Sequence, residues 1–314
     1  MTGSVTVALD WTPNTNHVGF YLAREAGHYE AAGVDASFLS PAVDDYETTP
    51  AKRVAAGDAD LAVAPSESAI SYHTHPAYPS LTAVAALCQR DTSAIAVLES
   101  SDVERPRALD GRTYASYDAR FEDDIVRHLV QNDGGEGDVD IVTPPKLGIP
   151  NTIVDGSADA TWVFEPWEGL LAERAGHALR TFGLDEYDVP YGYTPVLLAH
   201  PDALADPDGT LASFLDATAR GYREAAADPE RAADALSGED GPNLDDHEFL
   251  VESARRLSGA FLTEDGEWGR MAHERWATFV DWLAKNEILR TLDGDHLPAS
   301  ELDAGTLYTN DLLG

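Results

Sequence analysis

The sequence predicts an α/β protein built as two lobes, the second inserted in the first. Three observations predict it. Short β-rich apolar runs alternate with helical patterns along residues 1–90, as βαβ units require. The alternation restarts near Asp102. The restart is flanked by two apolar stretches, Leu81 to Leu98 and Thr194 to Ala199, suited to pass between lobes. On this reading residues 1–90 and 195–314 form the first lobe, with the C-terminal helices, and residues 91–194 form the second. Two crossings make a hinge, and a ligand between the lobes would favour a closed state.

Each element has a local reason. Val5, Val7 and Leu9 form a short strand, and Pro13 ends any continuation. Asn14, Thr15 and Asn16 offer helix-capping side chains. Val18, Tyr21, Leu22 and Glu25 then follow helical spacing, and Gly27 supplies a stop. Val34, Ala36 and Phe38 alternate as a second strand ending at Pro41. Tyr46 to Ala56 reads as a helix closed by Gly57, and Leu61 to Val63 as a third strand. Thr113 to Ser116, Val139 to Val142 and Ala160 to Phe164 read as strands, and Phe121 to Gln131 as a helix with Ile125, Leu129 and Val130 on its apolar side. Asn151 to Gly156 opens a helix-turn unit. Leu170 to Ala175, Leu211 to Ala226 and Asp245 to Leu257 have helical spacing. Trp268, Ala272, Trp276, Phe279 and Leu283 form a stripe that reads as core.

Composition narrows the function. The 314 residues carry a formal net charge of −35, with 56 acidic side chains against 21 basic ones. This argues against nucleic-acid binding, which needs basic patches. Periodic apolar segments and an apolar content of 43% oppose disorder. A folded halophilic protein fits, because dense carboxylates hold water and molar salt shortens the Debye length to about 3 Å. Cys88 is the only cysteine, so no intrachain disulfide forms. No apolar run is long enough to span a membrane. A strand reached by Val5 leaves no room for a signal peptide, so the chain as it stands reads as cytoplasmic, or as extracytoplasmic if a leader has been removed.

In an open α/β sheet, ligands bind at the carboxyl ends of strands. The loop after the first strand holds Trp11, Asn14, Asn16 and His17, an unusual density of recognition side chains. Pro65-Ser66-Glu67-Ser68 stands at the end of the third strand, where Ser66 and Glu67 either face a ligand or simply start a helix. Trp162-Val163-Phe164-Glu165-Pro166-Trp167-Glu168-Gly169 is the third such place. His73-Thr74-His75 has no further convergent ligands for a metal.

The run DWTPNTNHVGFYLAREAGHYEAAGVD resembles the opening of the thiamine-pyrimidine precursor family, whose members include aminopyrimidine-binding proteins of ABC transporters and thiamine pyrimidine synthases. AAGDADLAVAPSE and the closing Tyr308 to Leu313 are similar to the corresponding family segments. The resemblance implies a bilobal periplasmic-binding-protein fold of type II. Trp167-Glu168-Gly169 looks like the family's Trp-Glu-Gly, which implies that Glu168 binds the aminopyrimidine edge, with Glu165 as its near alternative. Such a carboxylate accepts from the exocyclic amine and from a protonated ring nitrogen. Stacking would come from Trp11 and from Trp162, Tyr191 or Tyr193. The same resemblance makes His17 either a ligand donor or a fastener of its loop.

Two functions follow from the resemblance. One is non-catalytic binding of an aminopyrimidine, without cofactor, for delivery to an ABC permease. The other is a thiamine pyrimidine synthase, which implies pyridoxal phosphate on a lysine, a histidine four residues on, iron and a cysteine-rich segment. Those lysine and histidine positions fall near Ala64 and Ser68, and Lys52, Lys146 and Lys285 stand elsewhere. The binder is the better match. The acidic composition carries its own prediction: the fold loosens in dilute buffer. Circular dichroism that is unchanged between dilute and molar salt would reject a salt-dependent fold.

Overall fold

The computed structural model describes residues 3–144, 148, 152–206, 209–291 and 294–314. The chain opens with β1 (Gly3–Ala8), the helices α1 (Val18–Glu25) and α2 (His28–Ala31), and β2 (Val34–Leu39). It continues through α3 (Pro50–Ala56), β3 (Leu61–Ala64), α4 (Ser66–His73) and β4 (Thr82–Ala86). The second half of the alternation comprises β5 (Ser93–Leu98), β6 (Thr113–Ala115), α5 (Glu122–Asn132), β7 (Asp140–Val142), β8 (Ala160–Phe164), α6 (Leu170–Arg174) and β9 (Leu179–Phe182). The strand β10 (Val196–Ala199) and the helices α7 (Thr210–Ala227), α8 (Pro229–Leu236), α9 (His247–Leu257) and α10 (His273–Lys285) complete it.

The strands form two sheets of five. The first has the order β2-β1-β3-β10-β4 and the second β7-β6-β8-β5-β9. In the first sheet β1 runs parallel to β2 and β3, while β10 lies antiparallel to β3 and β4. In the second, β6 runs parallel to β7 and β8, and β5 lies antiparallel to β8 and β9. The chain therefore passes from one sheet to the other between β4 and β5, and returns between β9 and β10. The strands β3, β10 and the edge strand β4 are buried along their whole length, which is why they read as continuous apolar runs.

Several elements differ from the sequence reading for physical reasons. Helix α3 starts at Pro50, not Tyr46. Thr49 is held extended before the proline, and its hydroxyl caps the Lys52 amide. The aromatic stripe is only partly helical. Trp268 and Ala272 precede α10, because Gly269 and Trp268 are bridged to Ala86 and Leu262 and run extended. Trp268 packs flat on Tyr222 at 4.8 Å instead. Strand β9 and helix α8 went unread, the first because it is a four-residue edge strand and the second because its apolar face is mostly alanine. Residues 152–157 form a turn, while Asn151 lies outside the described residues, as does Lys146. Among the described residues no helix is long and apolar enough to cross a membrane.

The helix that follows the first candidate loop is pressed against α7 with no room for side chains. A β-carbon on Gly221 would stand 2.0 Å from the Gly19 carbonyl oxygen, and one on Gly19 would stand 2.1 Å from the Tyr222 ring. Gly221→Ala would bring about 1 kcal/mol of helix propensity. The overpacking outweighs it, and a net loss of about 1–3 kcal/mol is expected, because the clashing atom is backbone. Thermal unfolding checks this; a variant that melts at or above the parent temperature would mean the two helices separate freely.

Candidate functional site

A cavity of about 190 Å³ opens between the two sheets. Its walls come from four loops, each at the carboxyl end of a strand in a parallel pair. Asp10, Trp11, Asn14 and Asn16 follow β1, and Pro65 and Glu67 follow β3. Tyr117, Ala119 and Glu122 follow β6, and Trp162, Phe164, Trp167 and Glu168 close β8 and the turn beyond it. Tyr191 and Thr194, on the return segment, complete it. Each of the four strand ends thus delivers one carboxylate.

The first loop is folded by its own polar side chains. Asn14 Oδ1 accepts from the Asn16 amide at 2.9 Å, and Asn14 Nδ2 donates to the Thr12 carbonyl at 3.1 Å. His17 is fully buried. Its Nδ1 accepts from the Asn14 amide at 3.3 Å, so the proton sits on Nε2, which donates to Asp10 Oδ1 at 2.8 Å. From outside, the Tyr222 hydroxyl donates to the Asn16 carbonyl at 2.6 Å. His17 therefore fastens the loop and does not line the cavity.

Glu67 stands in the first turn of α4 and is buried. Its Oε1 accepts from the Tyr191 hydroxyl at 3.0 Å, and its Oε2 has no protein partner. Ser66 faces away from the cavity; its amide donates to the Tyr193 carbonyl at 2.9 Å, and Gly192 packs against its hydroxyl. Tyr193 is also turned away. Its ring lies under the Arg275 guanidinium at 4.1 Å, and its hydroxyl accepts from the Ala272 amide at 2.9 Å.

After β8, residues Glu165–Gly169 make a π-helical turn, a wider coil often found at functional places. The turn separates the two glutamates. Glu168 faces the cavity, and its Oε2 accepts from the Phe164 amide at 3.0 Å. Glu165 leaves on the other side, where its Oε1 accepts from Thr181 Oγ1 at 2.7 Å. Trp167 meets Phe249 of α9 edge to face at 4.7 Å, and Trp162 leans on Tyr191 at 5.4 Å. Trp11 packs on Tyr46 at 4.8 Å. Of the expected residues, the cavity gathers Trp11, Asn14, Asn16, Glu67, Trp162, Trp167, Glu168 and Tyr191. It leaves out His17, Ser66, Glu165 and Tyr193.

The family model described as NMT1/THI5-like matches residues 14–232. The chain belongs to the NMT1/THI5-like family. A formylaminopyrimidine-binding protein of Halalkalibacterium halodurans is 26% identical to this NMT1/THI5-like chain over 296 residues, covering 91% of this chain and 86% of that one. Two solved structures share the fold. The periplasmic nitrate-binding protein NrtA of Synechocystis PCC 6803 has a TM-score of 0.70 at 15% identity, covering 99% of this chain and 87% of that one. A zinc-bound ligand-binding component of an ABC-type import system from Staphylococcus aureus has a TM-score of 0.68 at 13% identity, covering 96% and 99%. The architecture is that of the bilobal periplasmic solute-binding proteins.

Sequence reasoning missed Asp10, Tyr117 and Glu122. The signal was partly present: Asp10 and Tyr117 stand just past a strand, where the same rule singled out Glu67 and Glu168, whereas Glu122 opens the helix after β6. Glu122 is held by its neighbours. It accepts from the Tyr114 hydroxyl at 2.6 Å and from the Tyr117 amide at 3.0 Å and 3.1 Å. Among the described residues no lysine, arginine or histidine lines the cavity. Burial pushes Glu67 up to about 7, against the hydrogen bond from Tyr191 and helped by the charge of Glu122. Burial likewise pushes Glu168 up to about 7, against the Phe164 amide and helped by Asp10. Burial raises Glu122 as well.

These shifts fix a pH dependence. A glutamate ordinarily ionises near 4.5, so the folded chain holds extra protons from there to about 7. The stability these groups contribute is complete below about pH 4.5 and is lost as pH rises through about 7. Glu67→Gln keeps an acceptor for Tyr191 and removes the buried charge. The unliganded variant is expected to melt a few degrees above the parent at pH 8, with the gap closing by pH 5. A gap of equal size at both pH values would show that Glu67 does not titrate in this range.

Proposed function

We propose that this protein binds a 4-amino-2-methylpyrimidine bearing a substituent at ring position 5, leaves it chemically unchanged, and delivers it to an ABC permease for thiamine biosynthesis. The observation that carries the reading is the pairing of aromatic walls with Glu168. The Phe164 amide fixes this carboxyl against the cavity. An aminopyrimidine offers it an exocyclic N–H and a ring nitrogen side by side, and a carboxyl ionising near 7 shares a proton with that nitrogen in either direction. Trp11, Trp162, Trp167 and Tyr191 supply surfaces for a flat ring. The name of the Halalkalibacterium relative points the same way. Delivery to a permease goes with an extracytoplasmic location.

The electrostatics separate this reading from others on the same fold. Nitrate is an anion, and a cavity lined by four carboxylates, with no cationic side chain among the described residues, repels it. Pyridoxal phosphate fits no better. Its phosphate meets the same repulsion, and a Schiff base needs a lysine amine, which is not found in the lining among the described residues. Strand position Ala64 and helix position Ser68 carry neither the lysine nor the histidine of the synthase pattern. Among the described residues no three of His, Cys, Asp or Glu converge as metal ligands.

Calorimetric titration in molar salt with the hydroxymethyl and formylaminomethyl pyrimidines tests the proposal. Micromolar or tighter binding without turnover is expected. Glu168→Gln is expected to weaken binding at least about tenfold, or about 1.4 kcal/mol. Unchanged affinity in that variant would remove Glu168 from the ligand edge.

A further inference from the structure

The cavity holds one acceptor that the aminopyrimidine edge at Glu168 leaves unexplained. Glu67 lies in the opposite lobe wall and is 6% exposed. Its Oε2 is buried without a partner, although its other oxygen is fixed by Tyr191 at 3.0 Å. A buried polar atom left unpaired is destabilising, so such an atom at a cavity surface points to a group that arrives with the ligand. The surroundings define that group. Glu122 approaches from α5, but its oxygens already accept from Tyr114, Tyr117 and Ala119. Asp10 and Glu168 border the cavity from β1 and β8, and the return segment offers Tyr191 and Thr194, neither of them a cation. Among the described residues every charged side chain lining this space is an acid.

Resting on the reading that the ring is an aminopyrimidine, we infer that Glu67 reads the substituent at ring position 5 and selects one that ends in a charged amine. The aminomethyl form is then the preferred ligand, ahead of the hydroxymethyl and formylaminomethyl forms. A hydroxyl donates one neutral hydrogen bond to Oε2. An amide N–H also donates, but brings no charge and adds a carbonyl oxygen facing three further carboxylates. An alkylammonium donates a charge-assisted bond to Oε2 and offsets the negative potential of Glu67 and Glu122 together. Position 5 is next to the amino-bearing ring carbon, so the substituent leaves the ring beside the edge held by Glu168 and must meet another wall.

Ionisation of Glu67 is coupled to this selection. Burial and Glu122 favour the protonated carboxyl in the free protein, whereas the ammonium favours the carboxylate. Aminomethyl binding therefore releases a proton below pH 7 and tightens between pH 6 and 8. Glu168 also titrates there, but it meets the same ring edge in all three ligands, so differences between ligands isolate Glu67.

The test titrates the intact protein in molar salt with the three pyrimidines at pH 6 and pH 8. At pH 8 the aminomethyl compound is expected to bind about tenfold or more tightly than the other two. At pH 6 its binding is expected to release more protons than theirs, read from calorimetry in buffers of different ionisation enthalpy. Glu67→Gln is expected to abolish the preference, and Glu67→Asp to restore part of it. Equal or weaker binding of the aminomethyl compound by the parent protein would overturn the inference without any variant. Persistence of the preference in a folded Glu67→Gln variant would overturn it too. Binding of all three with equal affinity leaves the aminopyrimidine reading intact and removes only the role of Glu67. Binding of none removes both.

Discussion

The candidate site depends on one buried hydrogen-bond chain, Asn14 amide to His17 to Asp10. It converts the end of β1 into a fixed surface. A loop of this length could leave its backbone groups to water. Here the imidazole accepts from one and donates to the carboxylate at the strand end, so the loop closes on itself. The knot is then backed by α7 and α9, through Tyr222 on the Asn16 carbonyl and Ser253 on Thr15 at 2.6 Å. Because α7 reaches this place only by passing Gly221 over Gly19, the helix packing and the loop geometry form one constraint. A side chain added at that crossing would move α1, and with it the side chains the loop presents.

The fold was largely legible because two periodicities alternate cleanly. Strand ends carry Pro, Asn, Ser and Glu, and the buried strands contain almost nothing polar. The same rule pointed to two of the four carboxylates that line the cavity, Glu67 and Glu168. It failed where local chemistry competes with position. His17 has the composition of a ligand residue, yet both ring nitrogens are satisfied within its own loop. Glu165 and Glu168 cannot be told apart by helical or strand spacing, because the turn that holds them is neither. The wider coil sends one towards Thr181 and the other into the cavity. Ser66 and Tyr193 are joined to each other at the hinge, a pairing between residues far apart in sequence. Asp10 was hidden beside the conspicuous Trp11.

The two lobes are also joined outside the cavity. Arg256 on α9 grips Glu173 at 2.8 Å and 3.0 Å, and Arg174 on α6 reaches Asp246 at 2.6 Å. Across the cleft, Arg120 donates to Thr74 Oγ1 at 2.7 Å. Ion pairs this exposed contribute about 0–1 kcal/mol each, and molar salt screens them further. The hinge is different. Arg275 donates to the carbonyls of Gln89 and Gly192, one on each crossing, while its guanidinium covers the Tyr193 ring. That half-buried pin aligns the crossings but does not span the cleft, so it fixes where the lobes bend rather than how far. A ligand that touches both walls is then the strongest available bias towards closure.

The distribution of acids carries the last step. Of the chain's 56 acidic side chains four line the cavity; those at the surface would hold water, and their repulsion would be tolerable where salt is dense. Salt acts through mobile ions within a few ångströms, and a cavity of about 190 Å³ walled by tryptophan and tyrosine holds few of them. Asp10, Glu67, Glu122 and Glu168 therefore interact at a lower effective dielectric than the surface acids. Of these, Glu122 is satisfied by its own loop and Asp10 is tied to His17. Glu67 and Glu168 keep an oxygen for something else, one from each lobe. The composition that hydrates the outside of the molecule thus has a separate meaning inside it, where two unscreened carboxyls ask for a flat, donor-rich ligand and refuse an anion.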